Sequence, residues 1–317
     1  MLIHSILKKA LFVAIILFLS LNLIAAFHAY RFTHFATEAS AKTAHPMQLS
    51  GFGKLKTLLF GVKNPRPENI VFPQQPYQTI YFTEGEKKLE GWLLPASDPQ
   101  GTVVLFHGFG GQKASLLDKA AIFQELQYQV LLVDFRGSGG SEGNQTTIGF
   151  AEAEDVKTVG KYLEKLGEEN VVLFGTSMGA VAIMKAVHDK AVAPTAIILE
   201  CPFGTTLQTV KSRFKTMGVP AFPMAHLLAF WGGALNGFNA YAHNPVTYAS
   251  NISCPTLLLY GEQDEKVSLQ ETEAIFKNLA GPKALRKYPN AGHENYLSRY
   301  RKEWTADVAN FLNHEKP

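Results

Sequence analysis

Three residues of this chain have the types and the order that acyl transfer requires. Ser177 stands at the centre of GTSMG, residues 175–179, a match to the G-x-S-x-G pattern in which a sharp strand-to-helix turn exposes a serine hydroxyl. Such a turn is so tight that the positions two before and two after the serine must lack bulk. The apolar run VVLF ahead of it, and the helical spacing of Ala180, Val181, Ile183, Met184 and Val187 behind it, supply the strand and the helix that the pattern demands. A serine hydroxyl is a poor nucleophile until a base takes its proton, and the base needs an acid to fix its tautomer. In this architecture the order is serine, acid, histidine. Asp264 follows the run TLLLYG, and His293 follows ALRKYP, so both fall in loops at the carboxyl edge of a sheet, the edge that carries Ser177. Glu262 and Glu265 compete with Asp264 for the acid's place.

The charge that develops on a carbonyl oxygen needs donors aimed at it. HGFGG, residues 107–111, follows the run TVVLF and is expected to bring the backbone N–H of Phe109 beside that of Met178, the residue after the nucleophile. These glycines complete neither G-x-G-x-x-G nor a P-loop, so no phosphate loop is expected there. HENYL, residues 293–297, begins like the zinc pattern H-E-x-x-H, but Leu297 occupies the second histidine position, and neither a metal nor a cofactor is expected. His107 reads as a strand-end residue bonded to backbone, and His188, His226 and His243 as surface or cap residues. Glu200, at the end of AIILE, is the one acidic candidate for binding a substrate amine. Cys201 and Cys254 fall at opposite ends of neighbouring strands and are expected as two free thiols, buried or nearly so.

The elements that must hold these residues are legible in the patterning. From residue 102 onward, short apolar runs alternate with helical stretches, the signature of βαβ units and a parallel sheet covered on both faces. QTIYFTEG and KKLEGWLLPA, ahead of them, read as an antiparallel pair. The rhythm breaks over residues 202–253, an insert rich in aromatic side chains that is expected to cap the site and line an apolar acyl or aryl pocket. With 317 residues, 46% hydrophobic and 18% charged, the chain has material for one large α/β domain. Its formal charge of +3 is spread without basic runs, which sets nucleic acid aside as a partner.

The first thirty residues differ. No charged residue falls between Lys9 and Arg31, a span long enough to cross a bilayer core of about 30 Å. This is a membrane segment or a signal peptide, and the lack of a clean small-x-small site just after it favours an uncleaved anchor. Lys8, Lys9 and the amino terminus outweigh Arg31, so the N-terminus is expected in the cytoplasm and the remainder on the periplasmic or another extracytoplasmic side. Residues 1–30 are thus read as the transmembrane anchor, 31–77 as a juxtamembrane connector and 78–317 as the catalytic domain with its insert at 202–253. Deleting the residues before Gln48 is expected to leave hydrolysis of a soluble ester intact.

Taken together, HGFGG, DFRGSGGSEG, GTSMG, GEQDEKV and AGHENY, in this order over residues 78–313, resemble the α/β-hydrolase superfamily, and within it the membrane-anchored Bem46-like and serine-aminopeptidase-like group. The resemblance implies an α/β-hydrolase fold with a mostly parallel central sheet. It also implies that Asp134 and Arg136 are scaffold in a loop flanking the site. The expected function is a serine hydrolase that cleaves carboxylic, lipophilic esters through an acyl-enzyme. An exopeptidase using the same triad, and a catalytically idle membrane-bound scaffold, are the alternatives.

Overall fold

The structure, a computed structural model, describes residues 2–36, 43, 50–83 and 85–314. Residues 37–42 and 44–49 of the expected connector lie outside the described residues. Eight strands form one sheet: β1 (Gln78–Phe82), β2 (Leu89–Leu94), β3 (Thr102–Phe106), β4 (Gln129–Asp134), β5 (Val171–Thr176), β6 (Ala196–Glu200), β7 (Thr256–Gly261) and β8 (Lys283–Tyr288), in the order β1-β2-β4-β3-β5-β6-β7-β8. β1 and β2 pair antiparallel and β2 joins β4 antiparallel, whereas β4, β3, β5, β6, β7 and β8 run parallel.

The helices are α1 (Leu2–Thr33), α2 (Gly51–Phe60), α3 (Leu117–Glu125), α4 (Glu152–Lys165), α5 (Met178–His188), α6 (Thr206–Met217), α7 (Met224–Ala234), α8 (Pro245–Tyr248), α9 (Leu269–Asn278), α10 (Tyr296–Arg299) and α11 (Arg301–His314). The apolar strand runs are continuous because both faces of the sheet are covered. On one face Phe106, Leu173 and Leu199 pack with Val156 of α4, Ile183 of α5 and Ile275 of α9. On the other, Leu105, Phe174 and Ile198 pack with Phe123 of α3 and with Trp304 and Val308 of α11. α10 and α11 are separated at Tyr300, whose hydroxyl accepts the Asn290 N–H at 2.9 Å and ties the break to the loop ahead of His293.

Asp134, at the end of β4, is a buried brace. It accepts the Lys113 N–H at 2.7 Å, the Asn69 side-chain amide at 2.7 Å and the Gly140 N–H at 2.9 Å, and it pairs with the Lys113 ammonium. Burial alone would raise its pKa, but the Lys113 charge holds it below the usual carboxylate range. Arg136 makes the same kind of contact with Asp155 at 2.7 Å. Both residues therefore fix the loop after β4 and leave the chemistry to others.

Most of α1 exposes apolar side chains, from Ile3 to Tyr30. Its last three turns belong to the domain. Ala25 and Ala29 are buried, and the Trp231 indole N–H of α7 donates to Asn22 Oδ1 at 3.1 Å. The Thr146 N–H donates to Thr33 O at 2.9 Å, and the Phe35 N–H to Asn144 O at 2.7 Å. The helix runs to Thr33, past residue 30, because its closing turn finds these partners. The expectation that everything before Gln48 is dispensable is revised accordingly: the described stretch 22–36 supplies core contacts and backbone hydrogen bonds to the rest of the molecule.

Candidate active site

Ser177 links β5 to α5 with φ +51° and ψ −108°, a conformation rare for a residue with a side chain. The two flanking glycines explain how the chain tolerates it. A Cβ on Gly175 would lie 2.5 Å from the Ala180 nitrogen, and one on Gly179 would lie 2.3 Å from the Phe106 oxygen, so any other residue would force backbone apart. The Ser177 N–H donates to Glu200 O at 2.7 Å, locking the turn to the end of β6.

The loops after β7 and β8 bring the base and the acid to this corner. His293 Nε2 lies 3.0 Å from Ser177 Oγ, and His293 Nδ1 lies 2.7 Å from Asp264 Oδ2. The other Asp264 oxygen accepts the N–H groups of Lys266 at 2.8 Å and Val267 at 2.9 Å, so the carboxylate is fixed by three donors and its side chain is fully buried. Glu262 and Glu265 are exposed. Burial disfavours the charged imidazole, but the neighbouring Cys201 sulfur and the hydrogen bond to Asp264 outweigh it and raise the His293 pKa. With Nδ1–H donated to Asp264, Nε2 is free to accept the serine proton.

Phe109 stands in the loop after β3. A Cβ on its neighbour Gly108 would lie 3.7 Å from the Ser177 Cβ, which places this loop against the nucleophile. Met178 opens α5, where backbone N–H groups lack intrahelical partners. Among the described residues neither the Phe109 nor the Met178 N–H donates to a protein group. The buried Glu152 carboxylate accepts the N–H groups of Thr147 and Gly149, at 3.0 and 2.9 Å, and holds the segment packed on Met178.

Other residues singled out in the sequence fall elsewhere. His107 Nε2 accepts the Phe135 N–H at 3.1 Å and its Nδ1–H donates to Gly108 O at 2.8 Å, and burial lowers its pKa, so it is a neutral strand-end strut. His243, within the insert, is fully buried between the Tyr248 hydroxyl and Ile148 O, where burial pulls its pKa down to about 4. His188 and His226 are partly exposed. Glu200, the candidate for a substrate amine, is fully buried with its carboxylate engaged by Trp304 Nε1 at 2.7 Å, Thr176 Oγ1 at 3.0 Å and Lys119 Nζ at 3.5 Å. It has neither exposure nor free acceptors for a ligand.

Cys201 and Cys254 are free thiols, the first buried and the second partly exposed. Cys201 was not anticipated as a neighbour of the triad, yet its sulfur and the donor atoms of Asp264 and His293 lie within 4.8 Å of one another. These three are poor metal ligands as arranged, because both His293 nitrogens and both Asp264 oxygens are already engaged in the hydrogen bonds described above. The signal for Cys201 was present in its position directly after β6, since every residue there faces the edge that carries Ser177.

A family profile described as serine aminopeptidase, S33, matches residues 97–231, and one described as PhoPQ-activated pathogenicity-related protein matches residues 240–316. A solved esterase of Pyrococcus furiosus superposes with a TM-score of 0.64 over 78% of this chain and 97% of its own, at 21% identity. The chain has an α/β-hydrolase fold. Relatives of this hydrolase include the uncharacterized protein YqkD of Bacillus subtilis, 26% identical over 71% of this chain and 75% of that protein. The lysophosphatidylserine lipase ABHD12 of Danio rerio is 26% identical over 64% of the hydrolase, which spans only about half (54%) of that protein.

Proposed function

We propose that the hydrolase is a membrane-anchored serine esterase that cleaves lipophilic carboxylic esters through an acyl-enzyme. The observation that carries this reading is the chain of hydrogen bonds from Ser177 through His293 to Asp264, at 3.0 and 2.7 Å, built on a strained turn. Ser177 Oγ forms a bond to the ester carbonyl carbon while its proton passes to His293 Nε2, and the carbonyl electron pair moves onto oxygen. The N–H groups of Phe109 and Met178 receive that oxyanion. As the pair returns, the carbon–oxygen bond to the alcohol breaks and the alcohol leaves with the proton held by His293. Water, deprotonated by His293, then attacks the acyl-serine and releases the acid, regenerating Ser177. Asp264 keeps Nδ1–H pointed away from the serine and offsets the imidazolium charge.

α1 serves as a single-pass anchor with its N-terminus in the cytoplasm and the domain on the extracytoplasmic side, a reading that rests on the charges of Lys8 and Lys9. The ABHD12 likeness and the apolar insert support lipid-like substrates. The exopeptidase reading loses the acid it needed, because Glu200 is committed to Trp304 and Thr176.

The test compares wild type with Ser177→Ala for labelling by a fluorophosphonate, beside a panel of p-nitrophenyl esters of rising chain length and aminoacyl anilides. Labelling lost in the variant, with ester turnover reduced by more than about a thousandfold, is expected. A wild type that prefers the anilides would favour the peptidase. A folded wild type that neither labels nor turns over would favour an idle scaffold.

A further inference from the structure

Arg213, on α6 of the insert, is a cation without an anion. Its guanidinium carbon lies 4.3 Å from the centre of the Phe32 ring and 5.7 Å from that of Phe109, and these two rings are themselves stacked at 4.6 Å with 7° between their planes. Phe32 comes from the end of α1, and Phe109 carries one of the N–H groups assigned above to the oxyanion. Among the described residues no carboxylate lies within ion-pair distance of Arg213, and none of its five donors meets a protein acceptor. Burial lowers its pKa to about 10, which leaves it charged at neutral pH.

A second cation, Lys266, stands in the loop that carries Asp264. Lys266 follows Asp264 by two residues and likewise lacks an ion-pair partner among the described residues. Burial lowers its pKa first and the charge of Arg213 lowers it further, whereas the charge of Asp264 raises it. The carboxylate beside them, Asp264, is taken up by His293 and two backbone N–H groups. Lys266 also feels Glu265, which is exposed. A guanidinium partly withdrawn from water with no carboxylate at ion-pair distance is costly unless a ligand supplies the anion. Stacking on a ring leaves the edges of the guanidinium free, and those edges match the paired oxygens of a phosphate.

We propose that Arg213, supported by Lys266, is an anion subsite that receives the phosphate of the substrate's headgroup while the ester carbonyl lies at Ser177. The proposal rests on the esterase reading and names its substrate class: anionic, phosphate-bearing lipid esters. The position fits that source, because Phe32 ends the anchor helix and so lies at the level where an outer leaflet presents its phosphates.

The experiment uses the full chain in detergent micelles and measures kcat/KM for 1-acylglycerol 3-phosphate and for 1-acylglycerol with the same acyl group. Wild type should prefer the phosphate-bearing ester. Arg213→Gln should lower the ratio of the two kcat/KM values by about 10- to 100-fold, mainly through KM, Arg213→Lys should retain part of it, and Lys266→Gln should lower it less. A ratio unchanged in Arg213→Gln, with Arg213→Lys folded and equally indifferent, would overturn the subsite and leave the stack as structural packing. Arg213-dependent inhibition by inorganic phosphate, without preference between the two lipids, would assign the site to free phosphate and equally overturn the headgroup claim. Fluorophosphonate labelling of the same samples separates the cases: intact labelling with no headgroup preference sinks only the subsite, whereas absent labelling sinks the esterase reading beneath it.

Discussion

Ser177 carries a positive φ that costs a residue with a side chain about 1–3 kcal/mol, and the cost is sustained because β5, α5 and the end of β6 all fix the corner. The strain points the hydroxyl at His293. Since the neutral imidazole is the form that takes the serine proton, a raised pKa shifts the acid limb of activity upward: turnover is lost as pH falls through that raised value. The pH profile of kcat/KM for a soluble ester should therefore rise with a midpoint above the ordinary imidazole value of about 6.5. A midpoint at or below the ordinary value would contradict the assigned electrostatics. The juxtaposition of Ser177, His293 and Asp264 was legible in the sequence because the elbow fixes its own geometry and the strand order then dictates where the acid and base candidates must follow. The surroundings were not. That Glu200 is consumed by Trp304, that His243 is buried and that Arg213 stacks on Phe32 depend on residues dozens to hundreds of positions apart, and no local pattern encodes them.

At the scale of elements, the βα alternation was readable because strands buried on both faces are continuous apolar runs, while α4 and α9 show one polar side. The insert was harder, since aromatic content alone does not say which way a ring faces. Phe222, Phe230 and Tyr241 point outward, and the groove that Phe230, Phe238 and Tyr241 line lies on the insert and not at Ser177. α5 crosses the end of β3 so closely that Gly179 has no room for a methyl group against Phe106 O. Gly179→Ala should cost about 1–3 kcal/mol of stability by urea denaturation and should depress ester turnover by displacing Ser177. A variant of unchanged stability and activity would show that the corner is looser than its contacts indicate.

At the scale of the whole molecule, α1 packs against the rest of the chain. Along α1, Asn22 lies about 16 Å from Thr33, and both ends of that stretch touch the domain, through Trp231 and through Thr146. α7 carries no Asp, Glu, Lys or Arg, packs on α1, and leaves Phe230 exposed. Removing residues 1–20 should leave kcat/KM for a soluble ester within about threefold of the full chain. Removing residues 1–36 takes away Phe32, Ala25 and Ala29 and should abolish activity or folding, as read by turnover and circular dichroism. Equal activity of the two truncations would return α1 to the status of a detachable tether. The central claim is that Ser177 forms the acyl-enzyme, and its most direct test is peptide mapping by mass spectrometry of the full chain, acid-quenched during turnover of a p-nitrophenyl ester. The account predicts an acyl adduct on the peptide containing Ser177 and none in Ser177→Ala; an adduct on Cys201, or steady turnover by Ser177→Ala, would contradict it.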